Sequence, residues 1–253
     1  MSRVVKVGTL RSPSASAGYL GFYPSFQANT DAVWTDRSGK GNNGTIPDTA
    51  VAWATANRVS TSTVFNKAPN LATTVLANNW TWNGTDRNSL LIFFKGVVTV
   101  PGSTLALFGN ANSTTEGGIK CSINASAQLQ INLYDRVNAQ SFFGTVGAST
   151  LIDASWGSVA HSVAYVLDGP TNTAMIYKDG ALLLSQSITS VTNLNSTGDF
   201  RPGATHNTAG VASSTYAWHF WKAPTGTTVS WDALIMRLHN SPTLPILQGE
   251  VGF

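Results

Sequence analysis

Glutamate is nearly missing from this chain of 253 residues: Glu116 and Glu250 are the two it has. Sugar-cleaving sites built on paired carboxylates need two acids about 5 to 5.5 Å apart when configuration is retained. Glu116 falls in an Asn/Ser/Thr/Gly loop and Glu250 in the tail, so neither has a partner in sequence. The aspartates Asp135, Asp168, Asp179 and Asp199 fall at expected strand ends or turns, where carboxylates bond turn amides. Cysteine is represented by Cys121 alone, which rules out an internal disulfide and a cysteine-based metal cluster. It is expected to pack as a small apolar residue.

Charge is also scarce. Asp, Glu, Lys and Arg make up 11% of the chain, against roughly 25% in an ordinary soluble domain. The fifteen Lys and Arg are scattered, so the net charge of +3 and the pI near 9.1 form no basic run and give no reason to expect nucleic acid. Long apolar runs are missing too. In residues 1–25, Val4, Val5, Val7 and Leu10 are broken by Lys6, Gly8, Arg11 and Pro13, so neither a secretory signal nor a membrane span is expected. There is no Gly-x-Ser-x-Gly elbow, no phosphate loop after Gly117-Gly118, and no His-x-x-x-His among His161, His206, His219 and His239. The sequence predicts a protein that is not an enzyme.

What is present is β patterning, at 42% hydrophobic residues. From Val159 to Leu167, residues alternate so that Val159, His161, Val163, Tyr165 and Leu167 share one face and Ala160, Ala164 and Val166 the other, a strand covered on both sides. Asp168-Gly169-Pro170 turns the chain, Ala174 to Tyr177 runs back, and Asp179-Gly180 suits a tight hairpin before Ala181 to Leu184. Ile119–Ile123 and Leu129–Leu133 alternate as half-buried strands. One short helix is expected near the end: Ser230 caps it, Asp232 sits in its first turn, Leu234, Ile235 and Leu238 share a face, and Pro242 ends it. No fixed-period repeat appears.

The run Tyr177-Lys178-Asp179-Gly180 between strands resembles a unit of the laminin-G-like branch of the concanavalin A-like lectin-glucanase superfamily. Trp34-Thr35-Asp36-Arg37-Ser38-Gly39-Lys40-Gly41-Asn42-Asn43-Gly44-Thr45 is similar to that family's early Asp-x-Ser-Gly-x-Gly-Asn-x-Gly loop, and Ser89–Lys95 to its central strand. Asp199–Ala204 and Tyr216–Trp221 resemble its last two strands, so the likeness spans roughly residues 30 to 240. It implies an all-β, antiparallel two-sheet sandwich (a concanavalin A-like jelly roll) with one short C-terminal helix. We divide the chain into an arm or first strand over residues 1–27, bearing Tyr19, Phe22, Tyr23 and Phe26, and a sandwich domain over residues 28–253. The family's Glu-x-Asp-x-x-Glu strand is absent. Calcium, the family's commonest ion, is possible at Asp36, Asp86 or Asp135; no cofactor is otherwise implied.

Eight tryptophans make sugar binding the first binding chemistry to consider, since sugar rings stack on exposed aromatics beside polar groups. Trp80 and Trp82 point the same way if extended. With Asn79, Asn83 and Arg87 they form either a sugar platform or part of the core. His206 in the Gly203–Asn207 loop is a further candidate. In Tyr216–Trp221, alternation assigns Tyr216, Trp218 and Phe220 to the core and leaves His219 and Trp221 outside as ligand contacts. Trp53 and Trp231 are expected to cover ends of the sandwich.

The missing export signal, low charge, lone cysteine, aromatic arm and unpaired glutamates together imply a phage virion protein: a capsid decoration, head fibre or tail-associated receptor-binding subunit. Such a protein is made in the host cytoplasm without a signal peptide. Its partners would be other virion proteins, further copies of itself in a homo-oligomer, and a host surface glycan, with no nucleic acid and no membrane. The alternative is a free carbohydrate-binding module or lectin.

Overall fold

The computed structural model describes residues 18–24, 33–45, 51–53, 58–60, 80–98, 103–111, 114–138, 140–145, 153–196, 201–202, 213–223 and 225–247. The chain opens with β1 (Tyr19–Pro24), β2 (Val33–Trp34), β3 (Gly44–Thr45), β4 (Val51–Trp53) and β5 (Arg58–Ser60). A small hairpin of β6 (Trp82–Asn83) and β7 (Asp86–Arg87) leads into the long β8 (Ser89–Val98). Then come β9 (Leu105–Gly109), β10 (Gly118–Ile123), β11 (Leu129–Asp135) and β12 (Gln140–Thr145). A one-turn 3-10 helix at Ala154–Gly157 precedes β13 (His161–Asp168), β14 (Thr173–Lys178) and β15 (Ala181–Ser187). β16 (Arg201–Pro202), β17 (Ser213–Ala223) and the helix α1 (Trp231–Asn240) complete the described elements.

Two antiparallel sheets face each other. The larger runs β15-β14-β13-β8-β17-β5-β4, with β1 also paired to β17; the smaller runs β12-β11-β10-β9-β16. The expected all-β sandwich with one short C-terminal helix is the observed fold. Alternation explains the filling. From β13, Val163, Tyr165 and Leu167 join Leu90, Ile92, Phe94, Trp218 and Phe220 in the core shared with Phe108, Ile119, Cys121, Ile131 and Leu133 of the smaller sheet. Phe108 meets Tyr165 and Trp218 edge-on, with ring centres 5.3 and 5.7 Å apart, which locks the two sheets face to face.

The other face of the large sheet is covered as well. Leu91, Phe93, Ala164, Val166 and Trp221 pack beneath Trp231, Leu234, Ile235 and Leu238 of α1, with Tyr19 and Phe22 of β1 and Ile246 of the tail. Cys121 is buried and its thiol is pushed up in pKa by that burial. Ser230 stands at the N-terminus of α1, but its side chain makes no capping bond. Asp232 sits in the first turn of α1, as expected, and also accepts from the Tyr177 hydroxyl at 2.8 Å.

The β14–β15 turn is as the sequence predicts: Asp179 and Gly180 take φ of 50° and 84°, the doubly left-handed turn that matches strand twist. The side chains of Trp53 and Tyr216, together with Phe26, Asn79, Asp199, His206 and Glu250, lie outside the described residues.

Candidate functional site

Trp80 and Trp82 do point the same way, and the direction is inward. Trp82 is 0% exposed and Trp80 3%, and both belong to the inter-sheet core. Their indole N–H groups donate to main-chain oxygens, Trp80 to Asn88 at 2.9 Å and Trp82 to Val191 at 3.2 Å. Neither ring offers a free face to a sugar, so the platform reading is corrected. His219 and Trp221 are corrected too: both are 0% exposed. They occupy the outer face of β17, as alternation requires, but α1, β1 and the tail roof that face. His219 is held by the Tyr19 hydroxyl at Nδ1, 2.9 Å, and by the Pro242 carbonyl at Nε2, 2.6 Å. Burial pushes its pKa down to about 3, so the ring is neutral, accepting at Nδ1 and donating at Nε2.

Arg87 and Asn83 remain at the surface, and Arg87 organises a cleft. The β6–β7 hairpin turns through Gly84 at φ 58° and is tied to the loop after β15 by Gly84 N–H to Thr192 O, 2.9 Å, and Leu194 N–H to Trp82 O, 3.0 Å. Opposite stands the β13–β14 turn, where Asn172 has φ 51° and Gly169 packs so tightly that an added Cβ would lie 2.1 Å from the Arg87 carbonyl oxygen. Between them opens a cleft of about 400 Å³ lined by Gly84, Thr85, Arg87, Gly169, Asn172 and Thr189. The Arg87 Nε donates to the Gly84 carbonyl at 2.7 Å and Nη1 donates to Asn172 Oδ1. Its guanidinium carbon stands 5.2 Å from the Trp82 ring centre, a cation–π contact over a buried indole. The lining thus holds one fixed cation, hydroxyls and an amide, and no carboxylate.

The acids named for calcium are already satisfied or singly placed. Asp36 accepts main-chain N–H bonds from Phe22, Ser38 and Asn42 at 2.9, 2.8 and 3.0 Å. Asp135 accepts from Thr192 N at 2.7 Å and Val137 N at 3.0 Å. Burial raises its pKa, but the main-chain and side-chain bonds from Thr192 and Asn138 outweigh burial and hold it below the usual carboxylate value. Asp86 accepts from the Thr225 hydroxyl at 2.6 Å. Among the described residues no group of three His, Cys, Asp or Glu is arranged to hold a metal ion.

The sequence reading missed one polar cluster. Ser155 Oγ lies 3.0 Å from His161 Nε2, and His161 Nδ1 lies 2.8 Å from Asp179 Oδ2, contacts that mimic a serine–histidine–aspartate triad. The Ser155 hydroxyl has a second acceptor within reach. Asp153 Oδ1 also accepts from it, so the carboxylate and the imidazole compete for its one hydrogen. The hydrogen bonds to Ser155 hold Asp153 below the usual carboxylate value. Nearby, His239 Nδ1 bonds the Ser162 hydroxyl at 2.9 Å, so the cluster joins α1 to the sheet. Its members come from the 3-10 turn, β13, the β14–β15 turn and α1, and no spacing in sequence links them.

No family model matches the chain, and no curated protein sequence matches it. Solved structures do. The ligand-binding domain of botulinum neurotoxin serotype D, in complex with N-acetylneuraminic acid, aligns over 88% of this chain and 50% of that one, at TM-score 0.62 and 14% identity. Trypanosoma rangeli sialidase aligns over 95% of this chain and 36% of its own, at TM-score 0.60 and 14% identity. NanB of Streptococcus pneumoniae aligns over 70% and 26%, at TM-score 0.50 and 17% identity. The chain spans half or less of each of these proteins. At such identities the likeness defines the fold: a lectin-like β-sandwich.

Proposed function

We propose that this chain is a non-enzymatic adhesion module that binds glycan in the cleft beside Arg87 and works as a surface subunit of a phage virion. The observation that carries the binding function is the cleft itself. Its walls are fixed by main-chain hydrogen bonds, and Thr85, Arg87, Asn172 and Thr189 converge on it as the donors and acceptors a polyol needs. A lectin-like sandwich with a preformed rim cleft suits that use, and one structural neighbour was solved with a bound sugar acid.

The virion setting draws support from the 11% charge: a polar but weakly charged surface suits close packing against neighbouring subunits. A free lectin is the second reading, favoured by the likeness to a ligand-binding domain solved with a sugar acid. A glycan array with the whole chain tests binding; silence on every sugar would refute it. Co-sedimentation with phage particles, abolished by excess free chain, separates the virion subunit from the free lectin.

A further inference from the structure

We infer that the glycan recognised in this cleft carries a carboxylate, as a sialic or uronic acid does, and that Arg87 is the residue that reads it. The inference rests on the glycan-binding function proposed above and names the chemistry of its ligand.

Three observations carry it. Arg87 is the one ionisable side chain in the lining, and it has no ion-pair partner among the described residues. Of its five N–H donors, two are spent inside the protein, on Gly84 O and Asn172 Oδ1. These two bonds and the Trp82 ring beneath fix the plane of the guanidinium, so the remaining donors on Nη1 and Nη2 are held ready without further loss of side-chain freedom. A planar acceptor with two oxygens matches such a fork, and a carboxylate is that acceptor on a sugar.

A cation in a cleft without counter-charge is also an electrostatic mark. Asp86, next in sequence, is exposed and turned to Thr225, and Asp168 at the base of the opposite turn is spent on Ser89, Thr171 and Trp231. Thr85 and Thr189 flank the cation with hydroxyls that serve ring and glycerol-type hydroxyl groups. A neutral sugar can accept single hydrogen bonds from the guanidinium through its hydroxyls but offers no planar pair of charged oxygens, so the acid group supplies the discrimination.

The test is a calorimetric titration of the whole chain with sialyllactose and with a glucuronic-acid oligosaccharide. Lactose, the methyl ester of each acid sugar and a sulfated lactose serve as comparisons. We expect binding of at least one acid sugar, weakened roughly 10- to 100-fold in its methyl ester, the loss of one hydrogen bond to a charged group. Arg87→Lys keeps the charge but loses the fork, and should weaken binding by a similar factor. Asn172→Asp, which lies against Nη1 in a left-handed conformation that aspartate tolerates, would place a carboxylate on Arg87 from within the chain and should abolish acid binding. Melting curves of both variants confirm folding. Equal affinity for acid, ester and lactose, or binding of the sulfated sugar alone, would overturn the carboxylate assignment and leave the glycan cleft standing. No binding of any sugar would overturn both.

Discussion

The guanidinium carbon of Arg87 stands 5.2 Å from the centre of the Trp82 ring, and the ring itself is fully buried. The tryptophan that the sequence offers as a stacking surface does stack, on a side chain of its own protein. It therefore acts through Arg87, and replacing it disturbs the fold as well as the cleft.

Trp82→Ala should cost about 3 to 5 kcal/mol, the usual penalty for deleting a buried aromatic side chain. Trp82→Phe keeps a ring beneath Arg87 and loses the bond to the Val191 carbonyl, so its cost should be smaller. Urea unfolding of the two variants checks this; equal stability of Trp82→Ala and the parent would show that the ring is not packed as described.

Two glycines at the cleft should respond differently to alanine. Gly169→Ala drives a Cβ against the Arg87 carbonyl and should destabilise by roughly 1 to 3 kcal/mol, displacing that cleft wall. Gly84→Ala meets nothing within 4 Å but has φ of +58°, so its cost should be only about 1 kcal/mol of backbone strain. Thermal melts and array binding of both variants test the ordering.

His219 sets a pH dependence. Its folded pKa is depressed from 6.5 to about 3, so between these values the unfolded chain binds a proton that the native chain refuses. Stability should be fully present above pH 6.5 and fall as pH drops toward 3, by up to about 1.4 kcal/mol per pH unit. His239, lowered by burial and by Lys95, acts in the same direction, whereas the contribution of Asp135 is lost only at more acid pH. Urea unfolding from pH 7 to pH 4 checks the slope, and His219→Phe should flatten it.

Ser155 should resist a fluorophosphonate probe, because Asp153 competes with His161 for its hydroxyl hydrogen. Intact mass after incubation checks this; a covalent adduct at Ser155 would show that His161 can take the proton.

The legible parts of the fold were those governed by local rules. Alternation through Val163–Leu167 gave a strand covered on both faces, and Asp179-Gly180 gave its hairpin turn, because both depend on neighbours in sequence. Alternation also assigned Trp218 and Phe220 to one face and His219 and Trp221 to the other. It could not reveal that α1, more than ten residues downstream, and Tyr19 and Phe22, some two hundred upstream, would roof the second face. The same limit applies at the cleft. Arg87 and Asn83 were legible as surface polar residues beside a tryptophan pair. Gly169, Asn172 and Thr189 join them only because β13 and β14 bring a second turn alongside.

The most direct test of the adhesion account is an amide chemical-shift map of the labelled chain during titration with an array-positive sugar. The account predicts saturable shifts concentrated at Gly84, Thr85, Arg87, Gly169, Asn172 and Thr189. Shifts centred on another surface, or none that saturate, would contradict it.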